Sequence, residues 1–293
     1  MLPPSDVLAR LRGDGPSVVM LLGAPDTGKS TYAKELARQA LAEGQTVAYV
    51  DADVAVDTIA PPACTGLVVL RSTDDLDAMD AADEIRFVGS IHPKHLVTQM
   101  VVGTARLVHR ARRRADLVLL DTTGIVSGVV GETLKYHKME LCEPDLVVGL
   151  QRGSELEPLV GMLQRFFTVD VELTDAHPGV EVIDPTERAD RLRASLGAAL
   201  GGSTDRWRVR PTVFAPTLPV GLDLGRLDDM LVGIHDGSGR CLGLGLLDWD
   251  GEVLRVETAF GEGMTGLRLG SMRVDRETFA ATSVNLREVM FGL

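Results

Sequence analysis

The stretch SVVMLLGAPDTGKS, residues 17–30, decides the fold: a short apolar run from Ser17 to Leu22 is closed by a glycine, and a lysine-serine pair then leads into the helix formers of Ser30 to Ala42. Strand, tight turn and helix follow in that order. The turn, Gly23-Ala24-Pro25-Asp26-Thr27-Gly28-Lys29-Ser30, satisfies the whole GxxxxGK[ST] pattern in the strand-to-helix context that gives the pattern its meaning. Its glycines let the backbone curl until successive N–H groups point inward at phosphate oxygens, and the helix N-terminus adds a favourable dipole. Gly23 through Thr31 is therefore expected to hold the triphosphate of ATP or GTP, with Lys29 reaching the β- and γ-phosphates and the Ser30 hydroxyl ligating Mg²⁺.

Outward from this turn the same grammar recurs. Thr46 to Val50 is a second apolar run, ending in Asp51-Ala52-Asp53, and Leu67 to Leu70 is a third. A helical stretch from about Lys94 to Arg114 leads into Asp116 to Leu120 with Asp121 at its tip, and Asp145 to Leu150 and Val180 to Ile183 repeat the pattern. Strands separated by helical segments predict parallel βαβ units: an α/β P-loop NTPase fold with a doubly wound, mostly parallel sheet and its functional edge at the strand C-termini. After Gly201-Gly202-Ser203 the texture changes. Glycines punctuate short apolar runs at 230–234, 241–247, 253–257 and 267–274, and Asp236-Gly237-Ser238-Gly239 between two of them signals a hairpin. The expected division is a P-loop domain over residues 1–203 and a small β-rich C-terminal domain over residues 204–293.

Composition narrows the function. No stretch approaches the roughly 18–20 uncharged apolar residues of a membrane span, and Met1 to Arg12 lacks the apolar core of a signal peptide, so a cytoplasmic protein without a membrane partner is expected. Cys64, Cys142 and Cys241 are widely spaced and read as reduced core residues. A net charge of −12 and an aromatic content of 4% argue against a high-affinity nucleic-acid scaffold, though not against an enzyme that grips one strand end.

Several groups at the functional edge can carry chemistry. Asp51 and Asp53 share a face if the strand runs on through them, and carboxylates there can ligate Mg²⁺ or accept the proton of an attacking hydroxyl. Asp121 has the position of a Walker B aspartate, supporting the metal directly or through water. Thr122, Thr123 and Gly124 extend from it toward phosphate or an acceptor, or form a plain turn. Arg188, Arg191 and Arg193 lie on one helical stretch and read either as a solvated face or as cations that close over a transferring phosphoryl group. The run Arg106, His109, Arg110, Arg112, Arg113 and Arg114 reads as a helix C-terminus facing solvent, with nucleic-acid contact as the alternative. His92 and His95 flank Pro93-Lys94 without a third metal ligand at suitable spacing, so contact of Ser90, His92 or Lys94 with substrate phosphate is the simpler reading.

The ordered set GAPDTGKST, YVDADV, FVGSIHP, LLDTTGIVSG, EPDLVVGLQR and TERADRLR resembles the polynucleotide 5′-hydroxyl kinases of the RNA-processing type, the family that includes the kinase of the eukaryotic mRNA cleavage factor, the ribosomal-RNA-processing kinase and prokaryotic relatives. The likeness extends over roughly residues 15–275, because LVGIHDGSGRCLGLGLL resembles that family's C-terminal β module. It implies a kinase transferring the γ-phosphate of ATP or GTP, with Mg²⁺, to the 5′-hydroxyl end of RNA or DNA. By the same resemblance Asp53 is the general base and Asp51 its partner in the magnesium shell. Thr122-Thr123-Gly124-Ile125 is the acceptor clasp, and Arg188 to Arg193 form the lid. The chain departs from the pattern at Ile125, which replaces a tryptophan, at Val56, which replaces a glutamine, and at Leu192, which interrupts the arginine spacing. The family's eukaryotic N-terminal β domain has no counterpart, so a minimal kinase core plus C-terminal module is expected.

Three other readings stay open. A P-loop NTPase switch or assembly factor would hydrolyse nucleotide without phosphorylating an acceptor. A small-molecule kinase would use a nucleoside or metabolite as acceptor. A docking role for the C-terminal module would recruit an RNA-processing protein, and removal of the residues after about 204 would then spare catalysis.

Overall fold

In the computed structural model, which describes residues 2–11, 13, 15–55, 58–92, 94, 96–176, 179–180, 182–202 and 204–292, β1 (Ser17–Gly23) lies between two parallel neighbours, β5 (Leu117–Thr122) and β6 (Leu146–Gln151). Beyond β5 comes β2 (Val47–Ala52), also parallel, and beyond β6 comes β7 (Asp170–Asp175). The side-chain alternation of β1 explains its continuous apolar sequence. Val18, Met20 and Leu22 pack against α4 (Val97–Ala111), α5 (Gly128–Cys142) and α6 (Glu157–Phe166). Val19 and Leu21 face the opposite layer of α1 (Pro4–Arg10), α2 (Lys29–Ala42) and α3 (Thr73–Asp77). Strands buried on both faces have no need of polar alternation.

On the other flank, β3 (Cys64–Leu70) runs antiparallel to β2, and β4 (Glu84–Phe87) antiparallel to β3. The C-terminal end of β4 therefore returns to the edge where β2 ends. The chain then passes through α7 (Pro185–Leu200) into β8 (Asp205–Arg208), β9 (Phe214–Ala215), β10 (Met230–His235), β11 (Cys241–Trp249), β12 (Leu254–Thr258), β13 (Gly266–Val274), β14 (Ala281–Ser283) and α8 (Leu286–Phe291). β10 and β11 are antiparallel across the 236–240 turn, as the glycine-rich signal predicts. Cys241 pairs with Ile85, so β11 joins β4 and, among the described residues, the fourteen strands form one sheet. The junction is packed as a core in its own right: Ala63, Cys64, Phe87 and Ile91 of the P-loop portion meet Leu196 of α7 and Leu231, Leu244 and Met272 of the β-rich portion. A Cβ on Gly233 would stand 2.5 Å from the Phe87 ring, so the ring seats directly on bare backbone there.

One strand lies elsewhere than expected. Val180, Val182 and Ile183 are not in a strand, and the outer parallel position belongs to Asp170–Asp175. DVELTD alternates polar and apolar residues because β7 is an edge strand with its faces only half covered, so no apolar run advertises it. Glu181 lies outside the described residues, as do Val56, Asp57, Pro93, His95 and Ser203. The basic run that closes α4 makes local contacts. Arg110 pairs with Glu84 at 2.6 Å and Arg114 with Asp83 at 3.1 Å, while Arg112 donates to the carbonyls of Cys142 and Glu143 at the end of α5. The three cysteines are free thiols and buried. Among the described residues no helix is long and apolar enough to cross a membrane.

Candidate active site

The Gly23–Ser30 turn wraps the N-terminus of α2. Gly28 caps the helix at φ +88°, a left-handed conformation suited to glycine, and Asp26 adopts φ +57°. Thr27 Oγ1 and Lys29 Nζ both donate to the Ala24 carbonyl, at 3.0 and 2.8 Å. Lys29 is buried, which lowers its pKa, while Asp121, Asp53 and Asp26 oppose that shift. Gly124 lies directly on this turn: a Cβ there would stand 2.6 Å from the Pro25 nitrogen. The loop after β5 and the phosphate turn are thus one packed unit.

Strand register sets Leu21, Asp121 and Asp51 side by side across β1, β5 and β2. Asp121 and Asp51 are buried, at 2% and 1% exposure. Asp121 Oδ2 accepts a 2.7 Å hydrogen bond from the Tyr49 hydroxyl. Asp51 Oδ1 accepts from the Asp53 amide at 3.0 Å, but its Oδ2 is buried with no hydrogen-bond partner. Burial, reinforced by Asp121, pushes the Asp51 carboxyl well above the usual carboxylate range. Burial also raises Asp121, opposed by the Ser30 and Tyr49 hydroxyls and by Lys29. Two adjacent carboxylates with an unpaired oxygen, beside a serine hydroxyl, form a hard oxygen-donor set of the kind Mg²⁺ takes when phosphate completes its shell. No cluster of three or more His, Cys, Asp or Glu that could hold a metal ion occurs among the described residues.

This strain carries a prediction. Asp51→Asn removes a buried, under-satisfied carboxyl, so the nucleotide-free protein should melt no lower than wild type, and up to about 2–4 °C higher. The extra thermal stabilisation that Mg²⁺ adds to bound nucleotide should disappear. Thermal unfolding with nucleotide, with and without Mg²⁺, reads both effects.

Asp53 sits one residue past β2, partly exposed, with its Oδ1 accepting from the Ala55 amide at 3.1 Å. Thr122 and Thr123 are buried, and Thr122 Oγ1 donates to the Leu21 carbonyl at 2.6 Å. Ile125 is 37% exposed. Ser90 is buried and accepts from the His92 amide at 3.0 Å, whereas His92 and Lys94 are exposed. This loop shares the sheet edge with Asp53, and Val88 packs in one cluster with Val54 and Leu134. No hydrogen bond or ion pair joins Ser90, His92 or Lys94 to Asp53 or the threonines among the described residues. Of the arginines Arg188, Arg191 and Arg193 on α7, Arg188 alone pairs with the phosphate turn, through Asp26 at 2.7 Å. Arg191 pairs within α7 with Glu187 at 2.6 Å, and Arg193 within α7 with Asp190.

Four residues at this edge escape sequence reading. Tyr49 is one, hidden in an apolar strand. Arg152 is another: it donates to the Asp26 carbonyl and, at 3.3 Å, to that of Val180. Lys135 and Lys138 are fully buried on α5. Burial, with the neighbouring Lys138 and Lys29 ammoniums, pushes the Lys135 amine well below the usual lysine range, and burial brings Lys138 down to about 8. A signal for the lysines exists, because Lys135, Lys138, Met139 and Cys142 occupy i, i+3, i+4 and i+7 of one buried stripe.

Comparison with known proteins gives the family and the fold. The family model described as mRNA cleavage and polyadenylation factor CLP1 P-loop matches residues 23–196. A polyribonucleotide 5′-hydroxyl-kinase of Pyrococcus furiosus is 28% identical, the match covering 94% of this chain and 87% of that protein. One of Thermococcus kodakarensis is also 28% identical, covering 89% of each. The solved Clp1p of a Clp1p–Pcf11p complex superposes with a TM-score of 0.66 at 16% identity, covering 92% of this chain and 77% of that one, a likeness of fold.

Proposed function

The chain belongs to the mRNA cleavage and polyadenylation factor CLP1 P-loop family, and from that premise we propose that it is a polynucleotide 5′-hydroxyl kinase, transferring the γ-phosphate of ATP or GTP to the 5′-hydroxyl of an RNA strand. The observation that carries the reading is the convergence of a partly exposed carboxylate, Asp53, with the buried pair Asp51 and Asp121 beside the phosphate turn. A hydrolytic switch needs a positioned water; a kinase needs a base reachable by an acceptor hydroxyl, and Asp53 stands at the mouth of the site rather than under it. The names of the archaeal relatives, polyribonucleotide 5′-hydroxyl-kinases, support RNA as the acceptor class.

In this reading the Gly23–Ser30 backbone and Lys29 hold the donor phosphates. Asp53 accepts the proton of the attacking hydroxyl as its oxygen bonds to phosphorus and the bond to the leaving nucleoside diphosphate breaks. Ser30, Asp51 and Asp121 would hold magnesium, which supplies neutralisation of phosphate charge. The Thr122–Ile125 turn takes the strand end, with Ile125 offering apolar contact where relatives of the resembled type stack a tryptophan. Arg188 leaves Asp26 for the phosphoryl oxygens, a charge-assisted exchange of one oxyanion for another. Arg188→Ala is accordingly expected to lower kcat about 10- to 100-fold, whereas Arg191→Ala and Arg193→Ala, whose partners lie within α7, stay within about threefold. Steady-state labelling of an oligonucleotide separates the three.

The test of acceptor class is competition. A 5′-hydroxyl oligoribonucleotide should be phosphorylated in the presence of a large excess of free nucleosides. If the nucleosides take the label and the oligonucleotide stays bare, a small-molecule kinase is the correct reading.

A further inference from the structure

Lysine is rarely buried in full, because its ammonium loses water that only well-placed acceptors replace. Lys135 is 0% exposed, and its partners are specific: Nζ donates to Thr122 Oγ1 at 2.7 Å and to the Thr123 carbonyl at 2.7 Å, with Thr123 Oγ1 at 3.4 Å. Thr122 Oγ1 passes the chain on to the Leu21 carbonyl at 2.6 Å, so α5, β5 and β1 are tied at one point. That point is where β5 ends and ladder hydrogen bonds no longer fix the backbone. One turn along the helix, Lys138 Nζ donates to the Ala52 carbonyl at 3.4 Å, at the end of the strand that carries Asp51. Leu134, next to Lys135, packs with Val54 and Val88, the neighbours of Asp53 and of the Ser90 loop.

A methionine of similar volume would fill the same space without the desolvation cost of an amine. What lysine adds is direction: an N–H donor aimed at a carbonyl and a hydroxyl of the turn that ends in Gly124, which itself lies on Pro25 of the phosphate turn. We infer that Lys135 is a positioning residue for the acceptor, holding the Thr122–Thr123 turn in the shape that receives the strand end, a role that rests on the kinase reading above. Among the described residues Lys135 makes no hydrogen bond to the phosphate turn, so its loss should be felt chiefly by the acceptor.

The experiment uses the full chain, labelled nucleotide with Mg²⁺ and a 5′-hydroxyl oligoribonucleotide. Lys135→Met is expected to raise the acceptor KM at least about tenfold while nucleotide Kd stays within about twofold. Thr122→Val, which keeps the lysine and removes its hydroxyl partner, should shift the acceptor KM in the same direction, and the double variant should be no worse than Lys135→Met alone, the non-additivity of residues acting through one contact. A folded Lys135→Met protein with wild-type acceptor KM overturns the inference, as does one in which acceptor KM and nucleotide Kd move together. Should Lys135→Met fail to fold, an unchanged acceptor KM in Thr122→Val overturns it equally. A wild-type protein that labels no oligonucleotide fails at an earlier step: the kinase reading falls, and this inference with it.

Discussion

Asp53→Asn should lower kcat about 10²- to 10⁴-fold and leave nucleotide affinity within about twofold. The asparagine keeps the size of the side chain and retains an oxygen to accept the Ala55 amide, now at 3.1 Å from Asp53 Oδ1. It cannot accept a proton. The site loses one function and little of its shape, so single-turnover labelling should slow while a nucleotide titration barely moves. Asp51→Asn should behave differently, because Asp51 is buried and in the proposed reading its loss acts through magnesium and donor binding. An Asp53→Asn enzyme with wild-type kcat would move the base elsewhere, and one that loses nucleotide binding altogether would place Asp53 among the donor ligands.

The second large effect is structural. A chain ending near residue 203 should yield no cooperatively folded protein, in place of an active kinase that has merely lost a docking platform. Phe87, Ile91 and Leu196 are each buried, and their packing partners include Leu231, Leu244 and Met272. Each such side chain returned to water costs roughly 1.5–3 kcal/mol, against a total domain stability of about 5–15 kcal/mol. The cut also strips β4 of its β11 neighbour and leaves an open edge. Solubility on expression, circular dichroism and the presence of a melting transition check it. A truncated chain that melts cooperatively and still labels RNA would show that the β-rich portion is separable.

The legible part of this protein is the part whose chemistry is local. Residues 17–30 state strand, turn and helix within one short window, so the phosphate turn and its lysine follow without reference to the rest of the chain. Asp51 and Asp121 are legible because each ends an apolar strand, and parallel strands deliver their C-termini to one edge. What is hidden depends on distant partners. Arg188 is separated from Arg191 and Arg193 only by its pairing with Asp26, far away in sequence. The continuous sheet hinges on Cys241 meeting Ile85, a pairing that no periodicity announces. Lys135 and Lys138 are hidden for another reason: they lie on a buried stripe at helical spacing, but lysine in a helix is ordinarily assigned to solvent. Two of their partners, the Thr123 and Ala52 carbonyls, are backbone atoms and have no residue signature at all.

The central claim is that phosphate moves to a strand end. γ-Labelled ATP or GTP, Mg²⁺ and matched 5′-hydroxyl and 5′-phosphate oligoribonucleotides test it in one incubation. The account predicts label on the 5′-hydroxyl strand alone, lost in Asp53→Asn. Free labelled phosphate released at the same rate with or without the oligonucleotide, and no labelled strand, would contradict it.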